Sequence, residues 1–143
     1  MINKKYSLYL HLVWATWDRE DWITPTIERC VYRNIADQVH QLGCKILAIN
    51  GMPDHVHLVI KLSTTITIAE IAKKAKGVSS RFINQKVQME DHFKWQIGYG
   101  AFTISRWDTD KVIHYVRNQK SHHECGDLIR GLETSFDQQI KRP

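Results

Sequence analysis

The stretch that most constrains the fold is His55-Val56-His57-Leu58-Val59-Ile60-Lys61-Leu62. Its period of two marks a strand with Val56, Leu58, Ile60 and Leu62 on a buried face. His55, His57, Val59 and Lys61 then share the opposite face. Residues 6–16 alternate in the same way, with Tyr6, Leu8, Leu10, Leu12 and Trp14 on one side and Tyr9, His11, Val13 and Ala15 on the other. Between these strands the period changes. Residues 17–22 are polar and read as a loop, and Thr24-Pro25 reads as the N-cap and first residue of a helix. Ile27, Val31, Ile35, Val39 and Leu42 recur at helical spacing, and Gly43 suits the stop. A short apolar run, residues 45–50, is followed by Gly51-Met52-Pro53-Asp54, which predicts an antiparallel hairpin leading into His55.

Downstream, Thr67 and Glu70 form a capping box. Ile68, Ile71, Ala72, Ala75, Val78 and Phe82 make the apolar stripe of the helix that follows. Residues 85–94 read as a loop and residues 97–105 as a strand. Asp108 or Thr109 caps a helix running to about His122, and a last helix is expected over 127–140. The order β-α-β-β-α-β is that of a ferredoxin-like split βαβ unit, an α+β fold. One antiparallel sheet would carry helices on one face, with a further helix after the last strand. The 143 residues, with three prolines and no repeat or low-complexity linker, are expected to form one domain over residues 1–143.

Composition narrows the class only a little. Hydrophobic residues are 43% and charged residues 24%, which argues against disorder. Cys30, Cys44 and Cys125 give neither a disulfide framework nor a C-x-x-C metal spacing, so a reducing, cytoplasmic setting is the simplest expectation. No window approaches the ~18 apolar residues of a membrane span, and the start of the chain reads as a strand rather than a signal peptide. A formal charge of +5 is compatible with a polyanion partner and does not require one.

His55 and His57, at i and i+2 on a strand, project the same way and can share one metal ion. A solvated or hydrogen-bonded histidine pair would have the same spacing. Two imidazoles do not complete a site. In Val112-Ile113-His114-Tyr115-Val116-Arg117-Asn118-Gln119, Tyr115 and Gln119 are four apart and would share a helix face. The Gln119 carbonyl oxygen suits a hard cation such as Mg²⁺ or Mn²⁺. A tyrosine hydroxyl can form a covalent intermediate. For either residue alone, an ordinary amphipathic tyrosine and a solvated glutamine are the bland alternatives.

Pro53-Asp54-His55-Val56-His57-Leu58, with Tyr115-Val116-Arg117-Asn118-Gln119 downstream, resembles the single-tyrosine HUH transposases of the IS200/IS605 type. This is the Y1 transposase family, which includes the REP-associated transposases. The likeness extends from His11-Leu12-Val13-Trp14 through Gly98-Tyr99-Gly100-Ala101-Phe102 to Asn118-Gln119 and His122-His123. The resemblance implies a ferredoxin-like core and a homodimer, with active sites that can be composite between subunits. It implies action on single-stranded DNA with subterminal hairpins. His55, His57 and Gln119 would hold the divalent metal, Mg²⁺ or Mn²⁺. Tyr115 would be the nucleophile, leaving a 5′-phosphotyrosine and a free 3′-OH.

Other residues carry weaker signals. Lys73, Lys74, Lys76 and Arg81 form the densest basic helix and could track phosphates, or simply face solvent. Trp17 and Trp22, in a polar loop, are the tryptophans most suited to stacking on bases; the others more often fill cores. His11 and His114 are candidate bases for the phenol, with a structural role the plainer reading for each. His122 and His123, adjacent on a helix, diverge too far to form a metal pair. Three functions compete: a metal-dependent strand-transfer enzyme, a domesticated hairpin-DNA or RNA binder without chemistry, and a hydrolytic phosphodiesterase. The last lacks a second H-x-[ST] and the H-E-x-x-H spacing. The complete quartet His55, His57, Tyr115 and Gln119 favours the first over the second.

Overall fold

The computed structural model describes residues 5–86 and 92–120. Seven elements carry the fold: β1 (Tyr9–Ala15), α1 (Glu28–Gln41), β2 (Lys45–Met52), β3 (His55–Lys61), α2 (Ile68–Lys86), β4 (Gly100–Ile104) and α3 (Thr109–Arg117). A short 3₁₀ turn, Trp17–Arg19, follows β1. The strands form one antiparallel sheet in the order β2-β3-β1-β4. The expected β-α-β-β-α-β order and ferredoxin-like layering are therefore present. The last helix expected, over 127–140, and His122-His123 lie outside the described residues.

The two faces of the sheet do different things. Leu10, Leu12 and Trp14 of β1 and Val56, Leu58 and Ile60 of β3 point into the main core. There they meet Val31, Ile35 and Val39 of α1 and Ile71, Ala75 and Ile83 of α2. The opposite face carries His11, His55, His57 and Val59, and α3 covers it. Tyr115 and Val116 pack there on Ala48, Val59 and Ile104. The face that α1 and α2 leave open is thus closed by the helix that follows the last strand.

Local boundaries differ from the sequence reading in three instructive places. The hairpin turn is only Pro53-Asp54, because Gly51 and Met52 continue β2 and pair with Val56 and His55. A Cβ on Gly51 would overlap the backbone carbonyl oxygen of His55 and sit 3.0 Å from Val56 Cα. Glycine is needed here for close approach of two strands rather than for a turn. Next, α1 starts at Glu28, because residues 25–27 form a turn whose first carbonyl, that of Thr24, accepts from the N–H groups of Ile27 and Glu28. The capping box at α2 is formed as expected, with the Glu70 N–H donating to Thr67 Oγ1 at 3.1 Å. Finally, α3 stops at Arg117. Asn118 adopts φ −104°, ψ 24°, and its N–H turns back to the carbonyls of His114 and Val116. Gln119 begins the next helical turn instead of extending the same helix.

Candidate active site

Parity along each strand and the register between strands gather the site. His55 lies opposite Ala15, and His57 opposite Val13 on one side and Asn50 on the other. His11, two residues before Val13, therefore faces the same way as both histidines of β3. Its Nε2 is 2.7 Å from His57 Nδ1. The two rings stack at 5.0 Å with 16° between their planes, and Phe102 of β4 packs beside His11. The His55 and His57 rings lie 5.1 Å apart, nearly perpendicular. All three histidines are at most 1% exposed.

Each β3 histidine is oriented through its Nδ1. Asp54 Oδ1 lies 2.7 Å from His55 Nδ1. Burial pushes the Asp54 carboxyl up, but the hydrogen bond and charge of His55, together with Arg19, outweigh it and hold the pKa at about 2. An ionised carboxylate can only accept, so His55 Nδ1 carries a proton and donates to Asp54. Arg19 Nε donates to Asp54 Oδ2 at 3.1 Å, and Arg19 Nη2 stands 3.4 Å from His55 Nδ1. His57 Nδ1 is engaged in its turn, sharing a hydrogen bond with His11 Nε2. Such partners on the far nitrogen are what fix a metal-binding imidazole.

The side chain of Gln119, fully buried, completes the group. Its Oε1 is 3.4 Å from His55 Nε2. Two imidazole nitrogens and an amide oxygen are donors of the kind a divalent cation takes. Among the described residues no three His, Cys, Asp or Glu side chains gather as a metal cluster. Gln119 is held in place by its neighbour. Lys120 Nζ donates to Asn50 Oδ1 at 2.9 Å and to the Gly51 carbonyl at 3.0 Å, and it pairs with Glu28 Oε2 at 2.9 Å. Asn50 Nδ2 in turn donates to the Arg117 carbonyl. These contacts pin the end of α3 to β2 and α1 of the same chain.

Tyr115 stands edge-on to His57, with 6.2 Å between ring centroids and 85° between planes. It is only 2% exposed. Of the residues singled out from the sequence, His55, His57, Tyr115 and Gln119 come together. His114 is exposed and turned away from them. The basic helix does not join them. Lys73, Lys74 and Arg81 lie on the outer side of α2, with the core and the sheet between them and the histidines. Lys76 is committed elsewhere: its Nζ donates to the carbonyls of Gln96 at 2.8 Å and Gly98 at 2.9 Å. Burial lowers its pKa to about 8. Its role here is to fasten the segment before β4 to α2, so it departs from the expected phosphate-tracking set.

Sequence reading undervalued His11, Asp54, Arg19 and Lys120. His11 had a usable signal, since odd positions of β1 share one face. Its meeting with His57 depended on β1 lying beside β3.

The buried histidines thus lie on one face of a ferredoxin-like sheet, and the helix bearing Tyr115 covers that face. Residues 4–119 match the family model described as "Transposase IS200 like", and the chain belongs to that family. It is 24% identical over 119 residues to the ISDra2 transposase TnpA of Deinococcus radiodurans, covering 80% of this chain and 85% of that one. The crystal structure of a protein of the same organism, assigned as a transposase, superposes with a TM-score of 0.65 at 26% identity. It covers 83% of this chain and 98% of that one. A REP-associated tyrosine transposase bound to a REP hairpin shares the fold, with a TM-score of 0.62 at 13% identity, covering 90% of this chain and 76% of that one. Among the described residues, no helix is long and apolar enough to cross a membrane.

Proposed function

We propose that this transposase cleaves and rejoins single-stranded DNA at the ends of an insertion sequence through a 5′-phosphotyrosine on Tyr115. The observation that carries the reading is the convergence of His55 and His57 from β3, Tyr115 from α3 and Gln119 from the turn after α3. His55 Nε2, His57 Nε2 and Gln119 Oε1 would hold a Mg²⁺ or Mn²⁺ ion. Such an ion neutralises phosphate charge and stabilises a leaving 3′ oxygen.

The remaining steps belong to the protein. The Tyr115 oxygen attacks phosphorus, the bond from phosphorus to the 3′ oxygen breaks, and that oxygen leaves as a 3′-OH after taking a proton. One phosphodiester replaces another, so a second 3′-OH can reverse the step and join new ends without ATP. A free phenol has a pKa of ~10, so its proton must be drawn off as attack proceeds. Asp54 and His11 keep the two imidazoles aimed by holding their Nδ1 positions. Because Tyr115 is almost wholly covered, α3 must shift against the sheet to admit the scissile phosphate. A dimer whose active sites are composite would place that helix on the partner, in keeping with the family likeness. DNA with subterminal hairpins is the proposed substrate.

The test is labelled single-stranded DNA from the flanks of the gene, incubated with Mg²⁺ or Mn²⁺ and then denatured. A covalent adduct is expected, absent in Tyr115→Phe. Cleavage that persists in Tyr115→Phe would mean hydrolysis by water, and binding without any adduct would favour a domesticated binder. Asp54→Asn should weaken divalent-metal affinity by about tenfold, the scale typical of a ligand's hydrogen-bond partner. Calorimetric titration measures this, and unchanged affinity would remove Asp54 from the site.

A further inference from the structure

We infer that a cleft beside the site, walled by Trp17 and Trp22, binds one unpaired nucleobase of the DNA strand, with guanine the best fit. The inference rests on the single-stranded DNA reading above and adds a base-specific pocket to it. The cleft, about 270 Å³, is lined by Trp17, Asp18, Glu20, Trp22, His92 and Lys94.

Its walls are fixed from several directions. The Trp17 N–H donates to the Lys94 carbonyl at 3.0 Å, and Lys94 Nζ lies 4.0 Å from the Trp17 ring centroid. Trp22 packs edge-on against Phe93, at 5.3 Å between centroids. Phe93 is itself clamped to α2, its N–H donating to Asn84 Oδ1 and its carbonyl accepting from Asn84 Nδ2. On the near side, Asp18 (φ 56°) and Arg19 (φ 54°) adopt the left-handed conformation in succession. That arrangement is costly for residues other than glycine. It sends Asp18 to the cleft while Arg19 reaches Asp54 and the edge of His55. Consecutive Cα atoms are about 3.8 Å apart, so the cleft and the histidines are reached from one turn of chain. That separation suits adjacent parts of a single nucleotide strand.

The chemistry of the walls selects the ligand. Indole rings stack on bases of any kind. Two carboxylates repel phosphate, so the cleft suits a base rather than the backbone. A carboxylate accepts two parallel donors well. Guanine presents adjacent donors at N1 and N2. Adenine and cytosine place an acceptor beside their amine, and thymine flanks its only N–H with two carbonyls.

The probes are fluorescein-labelled dT12 and three variants carrying a single central dG, dA or dC. Each is titrated with the full-length protein without divalent metal and followed by anisotropy. The dG oligomer should bind about tenfold tighter than dT12, with dA and dC between them. In the double variant Asp18→Asn, Glu20→Gln this ratio should fall to about one. Asparagine tolerates the left-handed conformation, so the turn is retained. Equal affinity for all four oligomers, no binding to any, or a guanine preference that survives the double variant would each overturn the inference. Equilibrium binding is read separately from strand cleavage. Adduct formation with base-blind binding would remove the pocket alone. Guanine preference with no adduct would remove the strand-transfer chemistry alone.

Discussion

Replacing His57 with alanine is expected to lower metal-dependent strand cleavage by more than about a hundredfold. Even the hydrogen-bond partners of metal ligands carry about 10–100-fold. His57 meets three members of the site: Nδ1 lies against His11, and its ring stands nearly perpendicular to those of His55 and Tyr115. The outer side of the molecule, where Lys73, Lys74 and Arg81 are exposed, is untouched by the change. Hairpin binding by His57→Ala should therefore stay within about threefold of the wild type. That range is under one kcal/mol at about 1.4 kcal/mol per tenfold. Parallel cleavage and gel-shift titrations decide the matter. Equal loss of both would make the histidines structural, and retained cleavage would place the metal elsewhere.

Gly51→Ala is the second large effect, and it acts through the backbone. Gly51 pairs with Val56 in the hairpin, where an added methyl would overlap the carbonyl oxygen of His55. The obstacle is main chain, so no side-chain rotation relieves it. The strands must part just where His55 and His57 are aimed, and where Lys120 binds the Gly51 carbonyl. A loss of about 3 kcal/mol is expected, at the upper end for overpacking of a closely fitted site. Urea denaturation measures it as a lower midpoint with an unchanged slope. An unchanged midpoint would show that the hairpin can open without cost and that its closeness does not hold the site.

What could be read in the sequence, and what could not, follows from the range over which each residue's partners act. His55 and His57 needed only strand parity, which residues two apart reveal by themselves. The main core was equally plain, because Val56, Leu58 and Ile60 alternate and Val31, Ile35 and Val39 recur at helical spacing. His11 was half visible: its face followed from parity, but its contact with His57 required β1 to lie beside β3. Gly51 was mistaken for a turn residue because a glycine needed for strand proximity looks the same in sequence. The left-handed pair Asp18-Arg19 carries no local signal, being held by a hydrogen bond to Asp54 across the chain. Lys76 illustrates the opposite error. A lysine on a basic helix reads as a phosphate contact until the crossing segment brings the carbonyls of Gln96 and Gly98 onto it. Tyr115 and Gln119 were legible as a pair four apart. The break at Asn118 between them was not, since nothing in Arg117-Asn118-Gln119 compels it.

The central claim is that Tyr115 forms the covalent bond to DNA. Its most direct test is peptide mapping of the denatured adduct by mass spectrometry. Single-stranded DNA from the gene's flanks is used with Mg²⁺, followed by nuclease trimming and trypsin. The expected result is a nucleotide phosphate on the tryptic peptide containing Tyr115, joined through the 5′ end of the DNA, with a free 3′-OH on the released strand. A phosphate carried by any other residue, or a 5′-phosphate released with no peptide attached, would contradict it.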